Sequence, residues 1–201
     1  MGCSLLYQLV RQGCRDVVLL EKGELTSGST WHAAGQVPHF SEHPLFARIQ
    51  YESFESYKQL ERDEKQPTGV KPVGSLRLAR TKSEMLEYRR FLPIAKRLGI
   101  EAELIGPNET RSLWPLLELR GFQGALHTFN DGYTDPSQTT HAFANAARQL
   151  GAEITRHTRV TDINKMSTGN WKIETERGSI QAEKVVNATG FWGSEISAMI
   201  G

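Results

Sequence analysis

Between Leu19 and Gly35 the chain reads LLEKGELTSGSTWHAAG, and three kinds of chemistry meet there. Glu21 closes an apolar run (16–20, DVVLL). It is the residue type that hydrogen-bonds a ribose hydroxyl at the end of the second strand of a βαβ dinucleotide site. Ser27, Gly28, Ser29 and Thr30 are small enough for backbone N–H groups and hydroxyls to approach phosphates or a ring edge. Trp31 and His32 set an imidazole, nucleophilic when neutral, beside an indole. Upstream, Gly2 opens an amphipathic run with Leu5, Leu6, Leu9 and Val10 on one helical face. Glu21 follows Gly2 by 19 positions, the register expected between a phosphate-binding turn and a ribose acid.

Each feature also has a plainer reading. The full dinucleotide fingerprint is G-x-G-x-x-G after a first strand, and this sequence begins Met1-Gly2. Gly2 fits the third glycine, where a missing side chain lets helix and strand pack closely. The first strand and the first two glycines are expected to be missing. A helix followed by a strand and a glutamate also fits α/β proteins that bind no nucleotide. In that reading Glu21 is an exposed acid at a strand end, residues 27–30 form a flexible loop, and His32 is an ordinary histidine beside Trp31.

Three longer stretches carry a resemblance. Residues 23–35 (GELTSGSTWHAAG), 130–154 (NDGYTDPSQTTHAFANAARQLGAEI) and 185–196 (VVNATGFWGSEI) resemble segments of the dimethylglycine and sarcosine dehydrogenase family. These are flavoproteins of the D-amino-acid-oxidase-like class. The first stretch is specific; the other two are shared more widely in the class. The resemblance implies an α/β fold, a Rossmann-like FAD-binding domain lacking its first strand, with an interleaved α+β substrate part. It implies FAD bonded through a His32 ring nitrogen to the flavin 8α carbon. Glu21 falls at the adenosine ribose with Lys22 beside it, residues 27–30 at the phosphates or ring edge, and Gly190 where backbone passes the cofactor. Val160 falls, by family position alone, where backbone meets the adenine.

The activity so implied is oxidation of a small N-methylated amine by hydride transfer to flavin. The electron acceptor is oxygen or an electron-transfer flavoprotein, and a folate is bound by a region beyond residue 201. No catalytic base is nominated. A much longer protein, extending past both ends of this sequence, is implied as well. Two other readings stay open: a non-catalytic relative resembling the pyruvate dehydrogenase phosphatase regulatory subunit, and an amino-acid oxidase with non-covalent FAD.

The totals narrow the remaining classes. With 24 basic and 23 acidic side chains in 201 residues the net charge is +1, and no long single-sign run suggests nucleic acid. No apolar stretch is long enough to span a bilayer. Cys3 and Cys14 fall on one short helix as packing residues. That pattern suits a reducing compartment, the cytoplasm or, in a eukaryote, the mitochondrial matrix. His39, His43, His127, His141 and His157 lack metal-ligand spacing, and Asp131 and Asp135 read as turn and cap residues.

The elements that must position this chemistry follow from periodicity. Helices are expected near 2–12, 44–65, 83–98, 107–114, 136–150 and 192–199, with Phe46, Ile49, Phe54, Tyr57 and Leu60 lining the core face of the second. Strands are expected at 16–20, 73–79, 124–129, 153–156, 160–165, 171–175, 179–181 and 184–188, the first and last buried on both sides. Residues 63–72 read as a surface turn and Gly169-Asn170 as a hairpin turn. Residues 1–35 and 136–201 are assigned to the dinucleotide domain and 36–135 to a substrate domain.

Overall fold

The computed structural model describes residues 1–200. In chain order its elements are α1 (Gly2–Arg11), β1 (Val18–Leu20), a 3-10 turn (Ser29–His32), β2 (Gln36–Val37), α2 (Pro44–Asp63), β3 (Lys71–Pro72), β4 (Ser75–Ala79) and α3 (Lys82–Leu98). Then come β5 (Ala102–Ile105), α4 (Pro107–Leu113), β6 (Gly124–Thr128), β7 (Gly132–Tyr133), α5 (Pro136–Gln149) and β8 (Glu153–Thr155). The last are β9 (Val160–Lys165), β10 (Trp171–Thr175), β11 (Gly178–Ala182), a 3-10 turn (Gly190–Trp192) and α6 (Gly193–Ala198). They form two compact units, residues 1–34, 62–68 and 136–201, and residues 35–61 and 69–135.

In the first unit, α1 buries Cys3, Leu6, Tyr7 and Val10, one stripe of the amphipathic run. Facing it, α5 buries Thr139, Phe143 and four alanines, small side chains that let the two helices approach closely. Tyr7 packs on Phe143 with ring centroids 5.7 Å apart. Burying each such large apolar side chain contributes about 1.5–3 kcal/mol. β1 pairs in parallel with β8, Leu19 opposite Ile154. β9, β10 and β11 form an antiparallel meander, and the Met166 N–H donates to the Asn170 carbonyl (2.8 Å) across the expected hairpin turn.

Two strand expectations change here. β1 is not buried on both sides: Val18 is 37% exposed, and an open groove of about 520 Å³ lies against Val18, Leu20, Thr155 and Ser179. Residues 184–188 run without regular structure, and Val186 is 61% exposed. A strand needs a neighbour for its N–H and C=O groups. Among the described residues none pairs with this segment, and β1 uses one edge only. Cys14 is exposed rather than packed.

In the second unit, β4, β6 and β5 form an antiparallel sheet with β6 in the centre. Tyr88, Phe91 and Ala95 of α3 share a core with Ala47, Ala79, Ile100 and Leu126. Thr81 and Glu84 cap α3 reciprocally. β7 lies between β2 and β3 in a second small sheet. A Cβ at Gly132 would overlap the Lys71 carbonyl, so only glycine lets β7 and β3 come this close.

Three expectations are corrected in this part of the chain. Within 63–72, Thr68 and Val70 are buried and Lys71–Pro72 pairs with β7, so the segment is not a surface turn. On α2, Phe54 and Leu60 are buried, but Phe46 and Ile49 are exposed; the apolar stripe is covered only along its C-terminal part. Asp131 is not a plain turn residue. Its Oδ1 accepts from the His39 backbone N–H (2.8 Å) and lies 2.6 Å from His39 Nδ1, and its Oδ2 accepts from Ser75 Oγ (2.6 Å). Both Asp131 and His39 are buried.

Candidate functional site

Every site residue expected from the sequence falls in the first unit. α1 starts with no capping side chain and no acid in its first turn. Its first N–H groups are therefore available to an anion, which the helix dipole also favours. A Cβ at Gly2 would lie 3.5 Å from Leu19 Cδ1 and 3.7 Å from Ala188 Cβ, ordinary contact distances. The helix start is close to β1 and to the 184–188 segment, yet this packing alone would admit alanine.

Glu21 sits at the C-terminal end of β1. Its N–H donates to the Thr155 carbonyl (2.9 Å), and its own carbonyl accepts from the Thr158 N–H (2.9 Å). Its Oε1 accepts from the Gly23 N–H at 2.8 Å, which fixes the carboxylate and leaves Oε2 without a hydrogen bond among the described residues. Thr158 in turn leads into β9, where Val160 is the first residue.

Beyond Glu21 the loop is held on two sides. Glu24 pairs with His157 Nε2 (2.7 Å) and with Arg156 Nη1, clasping the loops that follow β1 and β8. These hydrogen bonds, His157's first and then Arg156's, hold the Glu24 carboxyl below its ordinary value. On the other side Lys22 Nζ lies 3.3 Å from the centre of the Trp192 ring, a cation–π contact. A Cβ at Gly28 would stand 3.5 Å from Trp192 Cζ3. Trp192 ends a turn that Gly190 opens at φ +58°, a conformation glycine adopts without strain. Asn187 braces that turn by donating to the Gly193 carbonyl (2.8 Å) and accepting from Thr189 Oγ1 (2.7 Å).

The α1 start, Glu21, Lys22, Gly28 and the Gly190 turn thus gather around the C-terminal end of β1. Ser27 Oγ donates to the Glu24 carbonyl (2.8 Å). Ser29 and Thr30 open the 3-10 turn that ends in His32. His32 is exposed, and its ring lies 3.8 Å from that of Trp31, with the planes inclined by 33°. Trp192 and the Glu24–Arg156–His157 cluster were missed by sequence reasoning. Both are partnerships between distant segments, which no local pattern announces.

The family described as FAD dependent oxidoreductase matches residues 1–201. The chain belongs to that family. It is 39% identical over 201 residues to the mitochondrial dimethylglycine dehydrogenase of Rattus norvegicus, covering all of this chain and 24% of that protein. To the mitochondrial sarcosine dehydrogenase of Mus musculus it is 35% identical over 211 residues, covering 22% of that protein. The chain therefore spans about a quarter of the length of these relatives. Among solved structures it is similar to an L-proline dehydrogenase from P. horikoshii, with a TM-score of 0.90 and 28% identity, covering 98% of this chain and 52% of that one.

The donor set suits FAD. An uncapped helix start is a donor set that could take a pyrophosphate, and a carboxylate oxygen with no other partner among the described residues could take a ribose hydroxyl. A charge-assisted hydrogen bond contributes about 1.5–3 kcal/mol. Glu21→Ala is therefore expected to weaken FAD binding about 10- to 100-fold. Titration of flavin fluorescence with the variant measures this, and a change under twofold would remove Glu21 from the site.

Proposed function

We propose that this chain forms the FAD-holding part of an oxidoreductase that oxidises the C–N bond of a small N-methylated amine such as sarcosine or dimethylglycine. The observation that carries the reading is His32, exposed on a fixed 3-10 turn within TSGSTWHAAG, in a chain 39% identical to a dimethylglycine dehydrogenase. Bound FAD supplies the acceptor for a hydride from the carbon next to nitrogen. The protein's own part is positional. The first turn of α1 and Glu21 hold the pyrophosphate and ribose, Lys22 and Trp192 keep the loop after β1 closed, and His32 anchors the ring covalently. The Gly190 turn and the start of β9 at Val160 would supply backbone to the cofactor's edges when it is bound. Water or a folate then intercepts the imine, and electrons leave to oxygen or an electron-transfer flavoprotein. In a eukaryote this takes place in the mitochondrial matrix, in keeping with the relatives named as mitochondrial.

Anaerobic addition of amines to the FAD-loaded full chain tests the reading through the visible flavin band. Sarcosine or dimethylglycine is expected to bleach it, while glycine, which lacks the N-methyl group, leaves it unchanged. Bleaching by glycine or proline in preference to both methylamines would move the activity to an amino-acid oxidase or dehydrogenase. A flavin that no amine reduces would favour a regulatory role.

A further inference from the structure

The loop after β1 is tied to the loop after β8 by more than the two backbone bonds at Glu21. The His157 N–H donates to the Gly23 carbonyl at 3.3 Å. Gly23 gives its own N–H to Glu21 Oε1 at 2.8 Å. One glycine therefore joins the carboxylate expected at the ribose to the neighbouring loop. Glu24 stands at the other end of these contacts, with Oε1 2.7 Å from His157 Nε2 and Oε2 accepting from Arg156 Nη1. The path runs from the Glu24 carboxylate through the His157 ring and N–H and the Gly23 peptide to the Glu21 carboxylate. Strain marks the same place. His157 has φ +52° and Thr26 φ +73°, left-handed conformations that side chains rarely adopt. Thr26 lies in the turn that the Ser27 N–H closes on the Glu24 carbonyl (3.2 Å). Such residues persist where their surroundings over-determine them. The Glu24 clasp is a restraint of that kind, acting on both loops at once.

We propose that Glu24 is a positioning residue for FAD, holding His157 so that the Gly23 peptide keeps the Glu21 carboxylate aimed for the ribose. This rests on the reading of Glu21 as the ribose ligand. Both Glu24 oxygens are already engaged, whereas Glu21 keeps Oε2 without a hydrogen bond among the described residues. Glu24 therefore acts on the cofactor through Glu21 rather than by touching it. A carboxylate fixed before the ligand arrives binds more tightly, because its ordering costs nothing at the moment of binding. The side chains of Glu24, Arg156 and His157 are about half exposed, so the two pairs are of the modest, solvent-screened kind. Contacts of that size change affinity a few-fold and leave the fold intact.

The test is a double-mutant cycle on the full chain, with the affinity of the apo form for FAD read by flavin fluorescence. Wild type, Glu24→Ala, Glu21→Ala and the double variant are compared, and His157→Ala removes the same contact from the other side. Glu24→Ala is expected to weaken FAD binding about fivefold, and His157→Ala about two- to fivefold. The apo forms of both are expected to melt within about 2 °C of wild type. In the Glu21→Ala background, loss of Glu24 is expected to change affinity by less than about twofold, because the carboxylate it positions is gone. A merely structural role would give the same loss in either background. Wild-type affinity in Glu24→Ala or in His157→Ala overturns the proposal, and so does a Glu24→Ala loss undiminished beside Glu21→Ala. Wild-type affinity in Glu21→Ala overturns the ribose reading and this proposal with it. That outcome is recognised without reference to the Glu24 variants.

Discussion

His32→Ala is expected to release all of its flavin on acid denaturation, while the wild-type band stays fluorescent and the two proteins melt at the same temperature. The conjunction is what discriminates. A histidine retained for structure would be buried or hydrogen-bonded, and His32 is neither: it is exposed, and no nitrogen of its ring has a hydrogen-bond partner among the described residues. Exposed substitutions of that kind change stability by about 0.5 kcal/mol or less. Non-covalent FAD binding is expected to persist in the variant, because the α1 start and Glu21 are untouched. A yellow His32→Ala protein that loses its colour in acid would therefore isolate attachment from binding. If wild type itself released its flavin, the non-covalent oxidase reading would take over and Glu21 would keep its role. If the variant kept its flavin, the anchor would have to be another side chain.

What could be read from the sequence was local. Pro107 at the first helical position, the Gly169-Asn170 turn and the amphipathic run after Gly2 each state their own geometry, and the structure places α4, the β9–β10 hairpin and α1 accordingly. The place of Glu21 at the end of β1 was legible for the same reason, since its register from Gly2 is a count along the chain. The failures were all about partners. Helical spacing at Phe46 and Ile49 announces a helix but not what covers its face, and nothing in their own unit does. Val185 and Val186 have the composition of a strand, yet a strand exists only with a neighbour, and among the described residues none pairs with them. Lys22 and Trp192, or Glu24 with Arg156 and His157, meet across most of the sequence. Of the site, then, the residue types along one loop were visible, while the braces that hold the loop were not.

The same limitation hid the pairing whose loss is expected to cost the most stability. Asp131→Ala should lower the melting temperature of its unit by about 15 °C. The carboxylate serves three donors at once: the His39 backbone N–H, the His39 ring and the Ser75 hydroxyl. Its backbone carbonyl also accepts from the Gly74 N–H at 2.7 Å. It thereby joins the segment after β2, the start of β4 and the turn between β6 and β7. Truncation leaves those donors without an acceptor where Asp131 and His39 are 2% and 1% exposed, so water cannot replace the bonds without opening the packing. The expected cost is about 3–5 kcal/mol, a large share of the 5–15 kcal/mol typical of a domain. Asp131→Asn separates shape from charge. The amide oxygen can still accept from His39 while its NH2 donates to a rotated Ser75 hydroxyl, so about 1–2 kcal/mol is expected. Chemical denaturation of wild type, Asp131→Asn and Asp131→Ala should order them in that sequence. Equal stability of Asp131→Ala and wild type would mean that the buried carboxylate holds nothing together. Equal loss in both variants would mean that the negative charge, rather than the acceptor geometry, fixes the three segments around Asp131.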